Sequence, residues 1–237
     1  MNETIEAIPA LNLAIAFIPV ALVFVILLHW SLDSKKALIS VIRMLAQLLL
    51  VGYILSTIFA AEQSWIVLLV MLVMVSAASW IALNTARDFR NALFSRAFAS
   101  ILLGGGLTLA LVTQGVIVLK PWFQPSYMIP LAGMIFANSM NCISLAIERL
   151  QVELKNTDDY SKARTAAFQA AFIPQINAML AVGLVSLPGM MTGQILSGVS
   201  PVIAAQYQIV VMCMIFGAAG LSTAMFLKLA RKVVYKA

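Results

Sequence analysis

The sequence predicts an all-α fold: a polytopic membrane helix bundle of about seven transmembrane helices, with the N-terminus outside and the C-terminus in the cytoplasm. Three observations predict it. First, apolar runs lie at 8–28, 41–60, 64–84, 97–119, 126–147, 168–187 and 201–227, each about long enough to cross a hydrocarbon core of roughly 30 Å as a helix. Second, 62% of the chain is hydrophobic and only 10% charged, more apolar surface than the core of a soluble domain this size needs. Third, fourteen of the fifteen Lys and Arg residues fall on alternate sides of these runs, and only Lys120 falls on the other side. Cytoplasmic loops hold the excess of Lys and Arg, so the cation-rich side is the inside.

Taken in chain order, each segment has a physical reading. The first run is preceded by Asn2, Glu3 and Glu6; an acidic flank and a long apolar stretch point to a retained helix, not a cleaved signal. Ser31–Arg43 reads as a loop followed by a basic, amphipathic lead into the second span, with Lys35, Lys36 and Arg43 inside. A tight outer turn at 60–64 joins spans two and three. Thr85–Arg96 sets Arg87, Asp88, Arg90 and Arg96 among Phe89, Leu93 and Phe94 at helical spacing. Lys120-Pro121-Trp122-Phe123-Gln124-Pro125 interrupts the chain between spans four and five, because its prolines stop a helix and its aromatics suit an interface. Glu148–Arg164 is the largest cytoplasmic feature; its charges alternate in sign as on a solvated helix pair. After span six, Pro188-Gly189 breaks the helix, and the glycine-rich stretch to Gly198 is too short for another full span. Irregular backbone at membrane depth survives only when packed in protein or lining a wet cavity, so this stretch is an outer-surface loop or a broken helix facing a pathway.

Residues 1–237 therefore read as a single transmembrane domain. The longest polar stretch is too short to fold alone. The formal charge of +6 is explained by membrane anchoring on the cytoplasmic side, with no nucleic acid as partner. The partner that composition demands is the lipid bilayer. No Gly-x-x-x-x-Gly-Lys-Ser/Thr phosphate loop occurs, so the chain reads as binding no cofactor of its own, and any ATP enters through another polypeptide. Cys142 and Cys213 sit in apolar runs with no zinc or disulfide spacing, and His29 beside Trp30 reads as an interfacial side chain. Asp and Glu lie only in terminal or loop regions, which argues against proton coupling.

Uncharged polar groups and sulfur remain as candidates. Asn138 and Asn141 are three apart in span five and face roughly one side of it, with Ser139 and Ser144 nearby. Amides facing lipid lack partners, so they turn inward, either as interhelical hydrogen bonds or as a polar pathway lining. Gln47, Gln169, Gln175 and Asn177 are similar. Gly104-Gly105-Gly106 and Gly189-x-x-x-Gly193 allow backbones to approach closely. Pro188, Met190 and Met191 mark the helix break, and Met134 and Met140 flank the asparagines. Thioethers either fill apolar gaps or meet a soft ion such as Cu(I); no metal ligand set can be read from the sequence.

The stretch Val182–Pro201, with Ser186-Leu-Pro-Gly-Met-Met-Thr-Gly193 at its centre, resembles the Fet-type iron-export permease family, the FetB-like bacterial membrane subunits of ABC transporters, to which plant aluminium-tolerance permeases also belong. Arg43-x-x-x-Gln47, Leu50-Val-Gly-Tyr53, Ile129-Pro-Leu-Ala-Gly-Met134, Asn138-Ser-Met140, Ala205-Gln-Tyr-Gln-Ile209 and Leu221-Ser-Thr223 extend the resemblance over nearly the whole chain. It implies a multi-pass permease of the bacterial inner membrane that is not itself an enzyme. It further implies a homodimer paired with a cytoplasmic ABC ATPase that exports iron or a related metal cation.

One departure stands out. Glu148–Arg164 is shorter than the family's cytoplasmic segment and lacks its Leu-Gly-Ala coupling turn, although Arg164-x-x-Ala-Phe-x-x-Ala-Phe-Ile-Pro174 still resembles the family's lead into span six. Glu148–Lys162 is then the candidate ATPase-docking helix, through Glu148 and Arg149, with Asp158, Asp159 and Tyr160 at its tip; an ordinary solvated loop is the competing reading. A stand-alone secondary transporter or channel for a small ion or solute, and a non-transporting scaffold, are the alternatives.

Overall fold

The computed structural model describes residues 8–59 and 63–235, apart from the side chains of 55–57. Asn2, Glu3, Glu6, residues 60–62 of the turn between spans two and three, and Lys236 lie outside the described residues. Among those described, the chain is helical throughout, with one isolated bridge and no strand. It falls into two compact units, Met1–Ala60 and Ala61–Ala237.

The first unit holds α1 (Ala10–Ile15), α2 (Ile18–His29) and α3 (Ser34–Phe59). A turn at Ala16 and Phe17 separates α1 from α2, and Pro19 stands in the first turn of α2, where its missing N–H costs nothing. Ser31 takes a left-handed backbone (φ 54°) in the next turn. The Asp33 carboxylate accepts the Lys36 N–H at 3.0 Å and so caps α3. α3 begins at Ser34, not at residue 41, so Lys35, Lys36 and Arg43 ride on its first three turns.

The second unit holds α4 (Ser64–Ala82), α5 (Arg90–Ala110), α6 (Pro125–Glu153), α7 (Tyr160–Ala181), α8 (Gly189–Leu196) and α9 (Pro201–Val234). Two 3₁₀ turns, Leu83–Thr85 and Arg87–Phe89, lead into α5, and a wider π turn, Leu111–Val116, ends it. α9 packs against α5 and α6, while α6 also packs against α4 and α7. Ile101, Leu109, Ile135, Ile143, Leu150, Met214 and Phe226 are sealed in this core. The glycine run of α5 is a contact point: a Cβ on Gly104 would stand 2.7 Å from the Ser222 nitrogen of α9.

Among the described residues, six helical stretches are long and apolar enough to cross a membrane. α7 is long enough to be a seventh. Its 22 residues reach about 33 Å, but Arg164, Gln169, Gln175 and Asn177 dilute its apolar character. α6, at 29 residues, reaches about 43 Å and overshoots the hydrocarbon. Glu148, Arg149 and Glu153 therefore lie on the end of a spanning helix. The predicted separate docking helix over Glu148–Lys162 does not form: α6 runs to Glu153, a turn follows, and α7 starts at Tyr160.

Asp159 caps that start, its side chain accepting the Ser161 and Lys162 N–H groups at 2.8 and 3.4 Å. Asp159→Ala should lower stability by about 1 kcal/mol, whereas Asp159→Asn should leave it nearly unchanged. Thermal unfolding in detergent measures both; equal melting curves for Ala and wild type would remove the cap from the account.

At the other end of α7 the chain reverses. Val182 bridges to Ser186, and Gly183, at φ 81°, donates to the Ser186 carbonyl. α8 follows, packed on α9, and Gly198 (φ 89°) turns the chain into Pro201 at the head of α9. The stretch is neither a bare loop nor a continuation of α7: two glycine turns flank a helix of 8 residues.

Candidate functional site

Three places in the second unit gather the polar and sulfur-bearing candidates. The first is an amide bridge between α6 and α7. Asn138 is half-buried; its Nδ2 donates to the Met134 carbonyl at 2.8 Å, and its Oδ1 accepts from Gln175 Nε2 at 3.1 Å. Gln175 is buried. Sequence spacing placed Asn138 on an inward face, and the structure supplies its partner. Asn141, three residues on, is turned about 60° from Asn138 around the helix; it is exposed, as are Gln169 and Asn177. Ser139 is fully buried, and its hydroxyl has no partner among the described residues. The amides thus divide: Asn138 and Gln175 lock two helices together, while Asn141 and Asn177 point away from the core.

The second place is the cation-rich end. The end of α4, the start of α5, the end of α6, the start of α7 and the end of α9 converge here. Arg87 and Lys155 border one concavity of about 500 Å³, with Thr85, Gln151 and Val234. Arg164 and Lys228 border another of about 420 Å³, with Gln169. Cations separated along the sequence are therefore neighbours in space at one end of this unit.

Arg149 pairs with Glu153 one turn on. Arg90 lies 4.4 Å from the Trp80 ring centre and donates to Asn84. Tyr160 is not at a tip. It is buried, its hydroxyl donates to the Leu227 carbonyl of α9, and its ring meets Tyr235 edge-on at 5.7 Å. Arg231 lies 5.6 Å from the Tyr160 ring centre, and the Tyr235 hydroxyl donates to the Asp158 carbonyl at 2.6 Å. Burial raises the Tyr160 phenol above the usual tyrosine range, with Arg164 and Arg231 pulling the other way. Tyr160 and Asp159 therefore shape the turn, and Glu148 and Asp158 are left to meet solvent. Sequence reasoning missed Tyr235 and Arg231 as the clamp on this turn; an aromatic in a basic tail reads as interfacial until its partner is seen.

The third place is the helix break. Pro188 precedes α8 and accepts from the Thr192 hydroxyl at 3.1 Å. Met190 and Met191 sit in its first turn, half-buried. Gly189 and Gly193 meet nothing within 4 Å, so that glycine pair, unlike Gly104 and Gly105, serves no close packing. Among the described residues no cluster of three His, Cys, Asp or Glu can hold a metal ion.

The chain matches the model of the uncharacterised protein family UPF0014 over residues 10–164 and 158–235. The two pieces overlap at 158–164, from the end of the turn after α6 into the first residues of α7. A UPF0014 membrane protein of Synechocystis is 37% identical over 76% of each chain. The probable iron export permease protein FetB of Escherichia coli is 36% identical over 80% of this chain and 78% of its own. The protein ALUMINUM SENSITIVE 3 of Arabidopsis thaliana is 35% identical over 89% of this chain and 81% of its own. No solved structure matches. With the apolar helices, the cation-rich end and these relatives together, the chain is an integral, multi-pass membrane protein that belongs to the UPF0014 family.

Proposed function

We propose that this chain is the membrane subunit of an ABC transporter that exports iron or a related metal cation from the bacterial cytoplasm. A homodimer of it would pair with separate ATPase subunits. The observation that carries the reading is kinship over about four-fifths of the chain with a relative named for iron export. Two features of this chain support it. The sequence has no phosphate loop, so ATP must act from a partner. The cation-rich end offers the concavity of about 500 Å³ bordered by Arg87, Gln151 and Lys155, and the 3₁₀ turns beside it would receive the ATPase in place of the shortened 148–164 segment. Asn141 and Asn177, exposed on membrane helices, would meet across the dimer or line the path, because an amide facing lipid has no partner.

The test has two arms. Affinity capture from native membranes is expected to bring down an ABC ATPase, and charge reversal at Arg87 and Lys155 together should weaken that capture. Deleting the gene should raise cellular iron and lower tolerance to it. Equal metal content in parent and deletion strains across iron, manganese, copper and zinc would remove the export reading. Flux through the reconstituted chain without ATP or partner would replace it with a stand-alone transporter.

A further inference from the structure

A cavity of about 330 Å³ lies where the end of α7, α8 and α9 meet. Nine residues line it, and four carry sulfur: Met179 of α7, Met191 of α8, and Met212 and Cys213 of α9. The whole chain has only thirteen Met and two Cys in 237 residues, so the lining is several times richer in sulfur than chance placement would make it. Gln208 also lines the cavity, one helical turn before Met212 on the same side of α9. It is 6% exposed, and its carbonyl oxygen Oε1 has no hydrogen-bond partner among the described residues. A buried acceptor left open costs about 1–3 kcal/mol, and Gln208 is the one amide side chain among the nine lining residues.

We propose that this cavity binds one soft monovalent metal ion, Cu(I) or its redox-stable counterpart Ag(I). Thioether and thiolate sulfur prefer soft ions, and three thioethers come from three different helices. No Asp, Glu or His lines the cavity. The cost of taking an ion out of water grows with the square of its charge, so a divalent ion costs about four times as much as a monovalent one. A site without carboxylates therefore suits charge +1. On binding, Cys213 would release its thiol proton to solvent, leaving a thiolate and a monovalent cation that sum to zero charge in an apolar lining. The metal changes no oxidation state. Methionine side chains, with three rotatable bonds, close on the ion from a cavity larger than the ion itself. Fe(II), divalent and less soft, is disfavoured here, so the site is separate from the iron cargo of the reading above and depends on neither ATP nor an ATPase.

The test uses the full chain, purified in detergent without added thiols, with Ag(I) as the probe. Equilibrium dialysis with elemental analysis should find one tight Ag(I) per chain, undisplaced by excess Fe(II) or Zn(II). Met179→Leu, Met191→Leu and Met212→Leu combined should weaken binding by about tenfold or more, while Met190→Leu and Met225→Leu leave it unchanged. Leu is close to Met in volume, and circular dichroism with size-exclusion chromatography confirms folding. X-ray absorption on the Cu(I)-loaded protein should show sulfur neighbours beyond the single thiolate. The proposal is overturned if the triple variant binds as wild type while Cys213→Ser alone abolishes binding, since a lone thiol then explains everything. Displacement by Fe(II), or absence of tight binding, overturns it equally. Unchanged cellular iron on deletion of the gene, with Ag(I) binding by the purified chain intact, would sink the transport reading and leave this one standing.

Discussion

Gly104→Val is expected to abolish recovery of folded protein. A Cβ at this position would stand 2.6 Å from Ser222 Oγ, 2.7 Å from Ser222 N and 3.0 Å from its Cα. The hydroxyl can rotate away; the backbone nitrogen and Cα cannot. α5 and α9 would have to part where Gly104 meets Ser222. Overpacking of this kind costs about 1–3 kcal/mol for one methyl, and the branched Val adds two more carbons to the same gap. Gly104→Ala should therefore survive with a clearly lowered melting temperature. Gly105→Ala should cost less, because its nearest neighbour is the movable Ile135 Cγ2 at 2.7 Å. Gly106→Ala, with only Leu102 Cδ1 at 4.0 Å, should be neutral or stabilising by up to about 1 kcal/mol through helix propensity. Fluorescence-detected size-exclusion chromatography after graded heating ranks all four. A Gly104→Val chain that melts like wild type would show that the two helices do not touch there.

The next largest effect belongs to Phe226→Ala. Phe226 is fully buried in α9. In a soluble core this change costs about 3–5 kcal/mol, part of it lost transfer from water and part the cavity left behind. Within a bilayer the first part largely vanishes, because lipid tails are as apolar as the core. The remaining loss of packing predicts about 2–3 kcal/mol. Reversible unfolding in mixed micelles measures it. A cost below about 1 kcal/mol would mean that the site collapses around the gap, and the full soluble-protein value would mean that water reaches it in the unfolded state.

These two positions illustrate what a sequence makes legible in a membrane protein. The number and order of spans follow from the length of apolar runs, since the bilayer admits few backbone solutions. The helix limits do not follow. α3 starts at Ser34 instead of 41, α5 at Arg90 instead of 97, and α7 at Tyr160 instead of 168, ending at Ala181 instead of 187. Hydropathy marks the hydrocarbon, whereas helices carry their polar ends out through the headgroups.

Gly104 was readable as a close-approach residue, but not its partner Ser222. Asn138 was readable as an inward amide, but not its bond to Gln175. Both partners depend on the rotation of a second helix, which nothing local encodes. The sulfur-lined cavity was harder still. Met190 and Met191 stood out beside Pro188, yet only Met191 reaches the cavity, and the other sulfurs arrive from Met179, Met212 and Cys213. Those residues lie in segments whose spacing carries no periodic signal.

Pro174 in the interior of α7 has a mechanical consequence. Its ring nitrogen offers no N–H, so the rung that would tie it back to the Ala170 carbonyl is missing. The last two turns of α7 are joined to the rest through a weakened joint, and the Gln175 side chain that pins them to α6 springs from the very next residue. With that pin intact the helix is held straight enough to pack; with it released, the outer segment that carries Met179 swings at lower cost than any unbroken stretch nearby. Amide exchange should therefore open first between Gln175 and Ala181, ahead of the neighbouring turns of α6.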